Sequence, residues 1–409
     1  QLREFKLRNL GAASEVFAAD GTSLGFITND VLRTPVPATE IPQVMRNAVI
    51  AVEDKRFYEH GGVDPEGIVR AALRNLSSDN STQGASTLEM QLIRNLYTGN
   101  NARSGLAGIK RKIREAKLAQ ELEQAHPGRR GKDWILNQYL NAAPFGTVGG
   151  QELRGVQAAA RMYFRKSAHA LTLKEAALLA GLPQAPSDYS PIQHPQAATK
   201  RRNEVLKLMG EQGYASAAAV QAAIAAPLGI NLGHYYQRRR ESYFFDYVKR
   251  ELTAKYGKEV VQAGGLKIHT TLDLKMQQAA KQAVLNAVAG TNRSAAIATV
   301  DNATGQIKAL ASTDSYGARQ FDLASQGSYA AGSTFKVMVL MAAIAAGVDP
   351  DTTTYDSVPL KLFDPKYGEI DVQTYSHTYM GRSNLVRATL ASDNSIYQQL
   401  DLDLGPPAV

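Results

Sequence analysis

The feature that most constrains this chain is a helical hydrophobic period beginning at Ile41. Ile41, Val44, Met45, Ala48, Val49 and Val52 recur at steps of three and four, forming one face of a helix that ends on Glu53-Asp54. Asp64-Pro65 caps a second helix with proline at its first position, and Ser86-Thr87-Leu88-Glu89 reads as a capping box opening a third. Residues 109–123, 132–141, 153–164 and 172–182 carry further helical patterns, so the stretch from 36 to about 210 is expected to be nearly all α. Before it, residues 14–28 read as a hairpin around Asp20-Gly21. The character changes near Pro227. A Tyr- and Arg-rich segment at 236–256 leads to Gly264-Gly265 and one alternating strand at 266–272. A helix from Leu274, a strand-turn-strand over Ala295–Ala311 and a helix over Ser333–Ala346 make the C-terminal third α+β.

A chain of 409 residues suits two or three domains of about 150 residues each. Hydrophobic residues at 44% and charged residues at 21% can build real cores, which excludes a disordered chain. The 46 Lys and Arg exceed the 38 Asp and Glu by 8, which favours an anionic partner: nucleic acid, a phosphorylated substrate or an anionic membrane face. The lack of cysteine excludes disulfides, thiolate metal sites and a Cys nucleophile. Seven scattered His with no H-E-x-x-H argue against a His-rich metal centre. No apolar run reaches the length of about 18 residues that spans a bilayer. The longest, Val337–Val348, reads as a buried helix. The chain opens at Gln1 without a signal peptide, so the expectation is either a soluble protein or an anchor upstream.

Three segments carry chemistry. The first is Glu53-Asp54-Lys55-Arg56-Phe57-Tyr58-Glu59-His60-Gly61-Gly62. The second runs from Gly84 through Ser86, Thr87, Gln91 and Arg94 to Asn95. The third is Arg111-Lys112-Ile113-Arg114-Glu115, where Glu115 shares a helical face with both basic residues. Taken singly, each reads as an ordinary solvated or capped helix.

Together and in this order they resemble the five-motif pattern of the peptidoglycan glycosyltransferases. These form the N-terminal half of the bifunctional, class A penicillin-binding proteins. The pattern E-D-x-x-F-x-x-H-x-G, G-x-S-T-x-x-Q-Q-x-x-K-N, R-K-x-x-E is met at most positions. Ile135–Asn141 and Ala177–Pro186 supply the fourth and fifth motifs. Met90 stands where the family has Gln, Arg94 where it has Lys, and Asn137 where it has Glu.

The resemblance implies a lysozyme-like, mainly α glycosyltransferase domain acting on lipid II and a lipid-linked glycan strand. It makes Glu53 the base on the acceptor hydroxyl and places Glu115 near the leaving group, assisting directly or through a divalent cation, Mg or Mn. No other cofactor is implied. Arg94 and Lys112 would neutralise the pyrophosphate, and Ser86, Thr87 and Gln91 would hydrogen-bond the substrate. Asp54, Phe57, His60 and Arg111 carry over as substrate-binding positions. The basic run Lys110–Lys117 suits a pyrophosphate and an anionic membrane face. Nucleic acid is the weaker reading, because no nucleic-acid motif accompanies it.

The C-terminal part has its own signature. Ser333-Thr334-Phe335-Lys336 is an S-x-x-K that sets Ser and Lys one turn apart, so an uncharged Lys336 can take the Ser333 proton. Ser392-Asp393-Asn394 follows, and the same tripeptide at Ser78-Asp79-Asn80 marks how little it means alone. With Gly265–Asp273 and Asp301–Gly305, these segments are similar to the α+β serine transpeptidase of the same family. The resemblance implies Ser333, Lys336 and Ser392 as catalytic, Asn394 as substrate-binding, and stem peptides and β-lactams as partners. No K-[ST]-G occurs, and Ala331 replaces the usual Pro, so an incomplete transpeptidase domain is expected. The expected organisation is an N-terminal hairpin to 35, a glycosyltransferase over 36–210, a linker over 211–290 and the transpeptidase part over 291–409. The intact protein is expected on the plasma membrane through an N-terminal anchor, its domains periplasmic. A non-catalytic envelope scaffold is the rival reading, and a glycan hydrolase the third.

Overall fold

The Ile41 period folds into the Gln43–Glu53 helix, whose Met45, Ala48, Val49, Ile50 and Ala51 are buried. In this computed structural model, residues 11–69, 86–98, 105–366 and 368–409 are described. Gly84 and Ser78-Asp79-Asn80 lie outside the described residues. The helix stops at Asp54, whose backbone leaves helical space at φ −159°, ψ 76°. Glu53 is therefore its last helical residue.

The chain forms two compact units, Gln1–Gln326 and Gly327–Val409. In the first, the Gln43–Glu53 helix packs on Leu173–Gly181 and Pro195–Glu211. The Leu88–Ile93 helix packs on Gly105–Ala125 and Gly128–Ala142. One continuous apolar core joins these helices. A three-stranded sheet borders them, with Gln151–Arg154 in the centre, parallel to Val31–Arg33 and antiparallel to Pro144–Val148.

The expected capping box does not form. Thr87 is the N-cap, accepting from Met90 N at 3.3 Å, and the buried Glu89 turns to the Lys132 ammonium instead of folding back. An ion pair inside the core outweighs one cap bond.

The N-terminal hairpin is continuous with the segment expected as linker. Ser14–Phe17 pairs antiparallel with Ser23–Ile27 and parallel with Lys267–His269. Val16, Leu24 and Ile27 then share a core with Phe244, Phe245 and Val248 of the Ser242–Tyr256 helix. The antiparallel strands Ala296–Val300 and Ile307–Ser312 also belong to the first unit. Gln277, on the Leu274–Val288 helix beneath them, clamps Leu310 by donating to its carbonyl and accepting from its N–H, both at 2.8 Å.

In the second unit, Gly332–Phe335 forms a 3₁₀ turn leading into the Lys336–Ala345 helix. Strand pairs Thr354–Ser357 with Gly381–Asn384 and Leu360–Asp364 with Gly368–Val372 follow, with helices Leu385–Ala391 and Asn394–Leu404. The Val337–Val348 run is not the buried helix its composition implies. Only Val339 and Ala343 enter the core, while Val337, Met338, Met341 and Ile344 are 48–61% exposed. The unit's core is small and receives one narrow stripe of that helix. Among the described residues no helix is long and apolar enough to cross a membrane.

Arg202 gives the helical unit a testable anchor. Its side chain is buried, and its guanidinium donates to Ile224 O at 3.0 Å and Ala226 O at 2.7 Å, at the C-terminus of the Ala217–Ala225 helix. Arg202→Met strands those carbonyls, and a loss of about 2–3 kcal/mol is expected by urea denaturation. Arg202→Lys should recover part of it.

Candidate active sites

Glu53, the last helical residue, follows the buried Met45 and Val49 at steps of four on one face of the helix. Oε2 accepts from Gln91 Nε2 at 2.8 Å, and Oε1 is buried with no hydrogen-bond partner among the described residues. Burial raises the Glu53 pKa above the ordinary carboxylate value. The Gln91 bond and the charges of Arg201 and Arg94 oppose that rise, and Asp54 adds to it. The Tyr139 hydroxyl donates to Gln91 Oε1 at 3.2 Å.

The other first-motif residues face inward. Both Asp54 oxygens lie 2.9 Å from His60 Nε2, and Oδ2 also accepts from Leu88 N at 3.1 Å. Phe57 is wholly buried. Gly62 has φ +81°, and a Cβ there would lie 2.6 Å from Ala119 O, so only glycine lets this loop touch the Gly105–Ala125 helix. Thr87 is buried and donates to Gly62 O at 2.7 Å. Asp54, Phe57, His60 and Thr87, expected as substrate ligands, thus lock the loop onto the helix that carries Gln91. Their polar groups bond inside the protein, except His60 Nδ1, which is buried without a hydrogen-bond partner among the described residues. Burial pulls the His60 pKa down, but the Asp54 hydrogen bond and the Asp54 and Glu89 charges outweigh it and leave it raised.

The third motif meets the second at Glu115. This carboxylate is fully buried and accepts from Arg94 Nη2 at 2.9 Å and from the Arg111 guanidinium. Arg94 opens a π-helical turn, Arg94–Thr98, and its Nη2 lies 3.4 Å from Ser86 Oγ. Lys112 is exposed on the same helix as Arg111. With Glu115 committed to two guanidinium groups, the residues here do not fit a divalent cation. Asp54, His60 and Glu89 lie within 4.8 Å of one another, but Lys132 Nζ, 2.5 Å from Glu89 Oε1, already supplies a cation there.

Three contributors escaped the sequence reading. Arg201, on the Pro195–Glu211 helix, acts on Glu53 through its charge and is marked in sequence only by a basic run. Lys132 is the buried partner of Glu89 and Glu123. Tyr139 lies in the fourth motif, but nothing local points it at Gln91.

In the second unit the four expected residues come together. The 3₁₀ turn eclipses positions three apart, placing Lys336 Nζ 3.3 Å from Ser333 Oγ. Nζ also donates to Ser392 O at 2.5 Å, Ser392 Oγ at 3.1 Å and Asn394 Oδ1 at 2.6 Å. Ser392 adopts the left-handed conformation at φ +53°, which turns its carbonyl and hydroxyl to the lysine. Burial lowers the Lys336 pKa, and Asp393 partly opposes this. Gln373 O accepts from Asn394 Nδ2 at 2.7 Å, and a cavity of about 350 Å³ lined by Gly332, Phe335, Lys336 and Asn394 opens beside the group.

Comparison with known proteins accords with this geometry. Residues 20–210 match the Transglycosylase family model, and residues 295–409 match the model of the penicillin binding protein transpeptidase domain. The chain is 33% identical over 395 residues to penicillin-binding protein 2D of Bacillus subtilis, covering 95% of this chain and 55% of that protein. It is 39% identical over 273 residues to penicillin-binding protein 1A of Aquifex aeolicus, covering 66% of this chain and 35% of that protein. The crystal structure of penicillin-binding protein 1A from Haemophilus influenzae superposes with a TM-score of 0.51 at 19% identity, over 98% of this chain and 63% of that one, a likeness of fold. The chain thus spans between about a third and about a half of the length of these curated relatives. With a helical transglycosylase domain followed by a smaller α+β transpeptidase domain, the chain belongs to the class A, bifunctional penicillin-binding protein family.

Proposed function

We propose that the first unit polymerises peptidoglycan precursor, moving the lipid-linked glycan from its undecaprenyl pyrophosphate to the 4-hydroxyl of lipid II with inversion at the sugar. The observation that carries this reading is Glu53: one carboxylate oxygen is held by Gln91 and the other is buried without a partner among the described residues, within range of the Arg94 charge. A base needs such a free oxygen and a raised pKa. Glu53 takes the hydroxyl proton as the acceptor oxygen bonds to C1. The bond from C1 to the pyrophosphate oxygen breaks, and its electron pair leaves with the pyrophosphate. Arg94 and Arg111, fixed by Glu115, offset that charge, with Lys112 at the exposed edge.

For the second unit we propose serine acyl transfer on stem peptides, the step that β-lactams intercept. Ser333 Oγ is the nucleophile, Lys336 its base, and Ser392 and Asn394 hold that lysine. These substrates place the protein at the outer face of the plasma membrane, where the basic helix residues suit anionic headgroups and pyrophosphate alike.

Incubating the chain with fluorescent lipid II and separating the products by gel tests the first reaction. A ladder of glycan strands is expected. Released disaccharide-peptide without a ladder would mean a hydrolase, and unconsumed lipid II would favour a scaffold.

A further inference from the structure

We propose that Tyr139 is a positioning residue for the base, its hydroxyl fixing the Gln91 amide so that nitrogen, not oxygen, faces Glu53. A glutamine amide is ambivalent: turned by half a rotation, it presents its carbonyl to the carboxylate and repels it. Gln91 has one contact at each end, Nε2 to Glu53 Oε2 at 2.8 Å and Oε1 to the Tyr139 hydroxyl at 3.2 Å. The ionised carboxylate only accepts, so the amide must donate to it and the phenol must donate to the amide. The relay runs in one direction, from Tyr139 through Gln91 to Glu53. Tyr139 is wholly buried on the Gly128–Ala142 helix, and Gln91 stands on the Leu88–Ile93 helix. The relay therefore crosses between two elements packed together.

Burial, followed by the Glu53 charge, holds the phenol well above its ordinary pKa, so it stays a donor throughout the working pH range. Among the described residues the groups acting on Glu53 are Gln91, Arg94, Arg201 and Asp54, and of these Gln91 alone reaches it by a hydrogen bond. Losing that bond leaves burial less opposed and the Glu53 pKa higher still.

That Glu53 serves as a base rests on the glycosyl-transfer reading, but the coupling is a property of the resting protein and can be read without substrate. The test is the carboxyl titration of Glu53 in the full chain, taken from ¹³C-glutamate spectra and assigned by the signal missing in Glu53→Gln. Tyr139→Phe keeps the ring and is expected to raise the midpoint by about one pH unit. Gln91→Leu should raise it by as much or slightly more, and the double variant should move it no further, because both act through one amide. An unmoved midpoint in Tyr139→Phe, or shifts that add in the double variant, would overturn the relay. A shifted midpoint in a chain that makes no polymer would leave the relay standing and remove the glycosyl-transfer reading alone.

Discussion

Glu53→Gln is expected to lower glycan polymerisation by about 10²- to 10⁴-fold while leaving the fold intact, the usual cost of removing a general base. Glutamine has the same shape and can still meet Gln91, so the packing around the Gln43–Glu53 helix is kept. The stability should not fall. The folded pKa of Glu53 is raised by burial, so the native state holds this proton more tightly than the unfolded chain. Stability then declines as pH rises from the unfolded value of 4.5 through the raised folded value. The glutamine variant lacks that decline and should be as stable as the parent, or more so, at neutral pH. Product gels with fluorescent lipid II and urea melts of the same preparations measure both. A variant that is inactive and also unstable would point to a structural carboxylate.

The largest expected loss of stability is at Lys132. Its ammonium is buried 2.5 Å from Glu89 Oε1 and 3.0 Å from Glu123 Oε2, and lies 4.7 Å from the Phe57 ring centre. Lys132→Met strands these carboxylates beneath the first-motif loop. Breaking a buried pair from one side costs about 3–5 kcal/mol, a large part of the about 5–15 kcal/mol that holds a domain together. The loss should depend on pH. Burial already raises the Glu89 pKa against the opposing Lys132 charge, so without the lysine Glu89 accepts a proton more readily. Urea denaturation should therefore show a smaller penalty at pH about 5 than at pH about 8. An equal, small penalty at both would mean that the ion pair is effectively solvated. Since Glu89 lies in the first turn of the helix that presents Gln91, the variant should also lose polymerisation.

The parts of the sites legible in sequence were those set by spacing along one element. Glu53 falls at a helix end because the apolar period runs out there. Arg111 and Glu115 share a face at i, i+4, and Ser333 and Lys336 meet because they stand three apart where the 3₁₀ turn runs into the following helix. Sequence order also identified which segments converge. It could not tell which side of an element faces the cleft. Asp54, Phe57, His60 and Thr87 carry polar or aromatic groups suited to a ligand, but the long-range contacts to Leu88 N, Gly62 O and the core turn them inward. Tyr139, Lys132 and Arg201 were hidden for the converse reason, since their partners lie on other helices. The pairing of Ser14–Phe17 with Lys267–His269 joins positions about 250 residues apart, beyond any local pattern. The exposed Val337, Met338, Met341 and Ile344 mark where composition alone misjudged burial.

The role of Glu53 as base is tested most directly by the pH dependence of strand synthesis on lipid II. A base that works unprotonated, with its pKa raised by burial, predicts a rate that falls on acidification with a midpoint above the ordinary carboxylate value of 4.5. The residual rate of Glu53→Gln should lack that acid limb. A rate level down to pH about 4.5, or an acid limb unchanged in Glu53→Gln, would contradict the assignment of the base to Glu53.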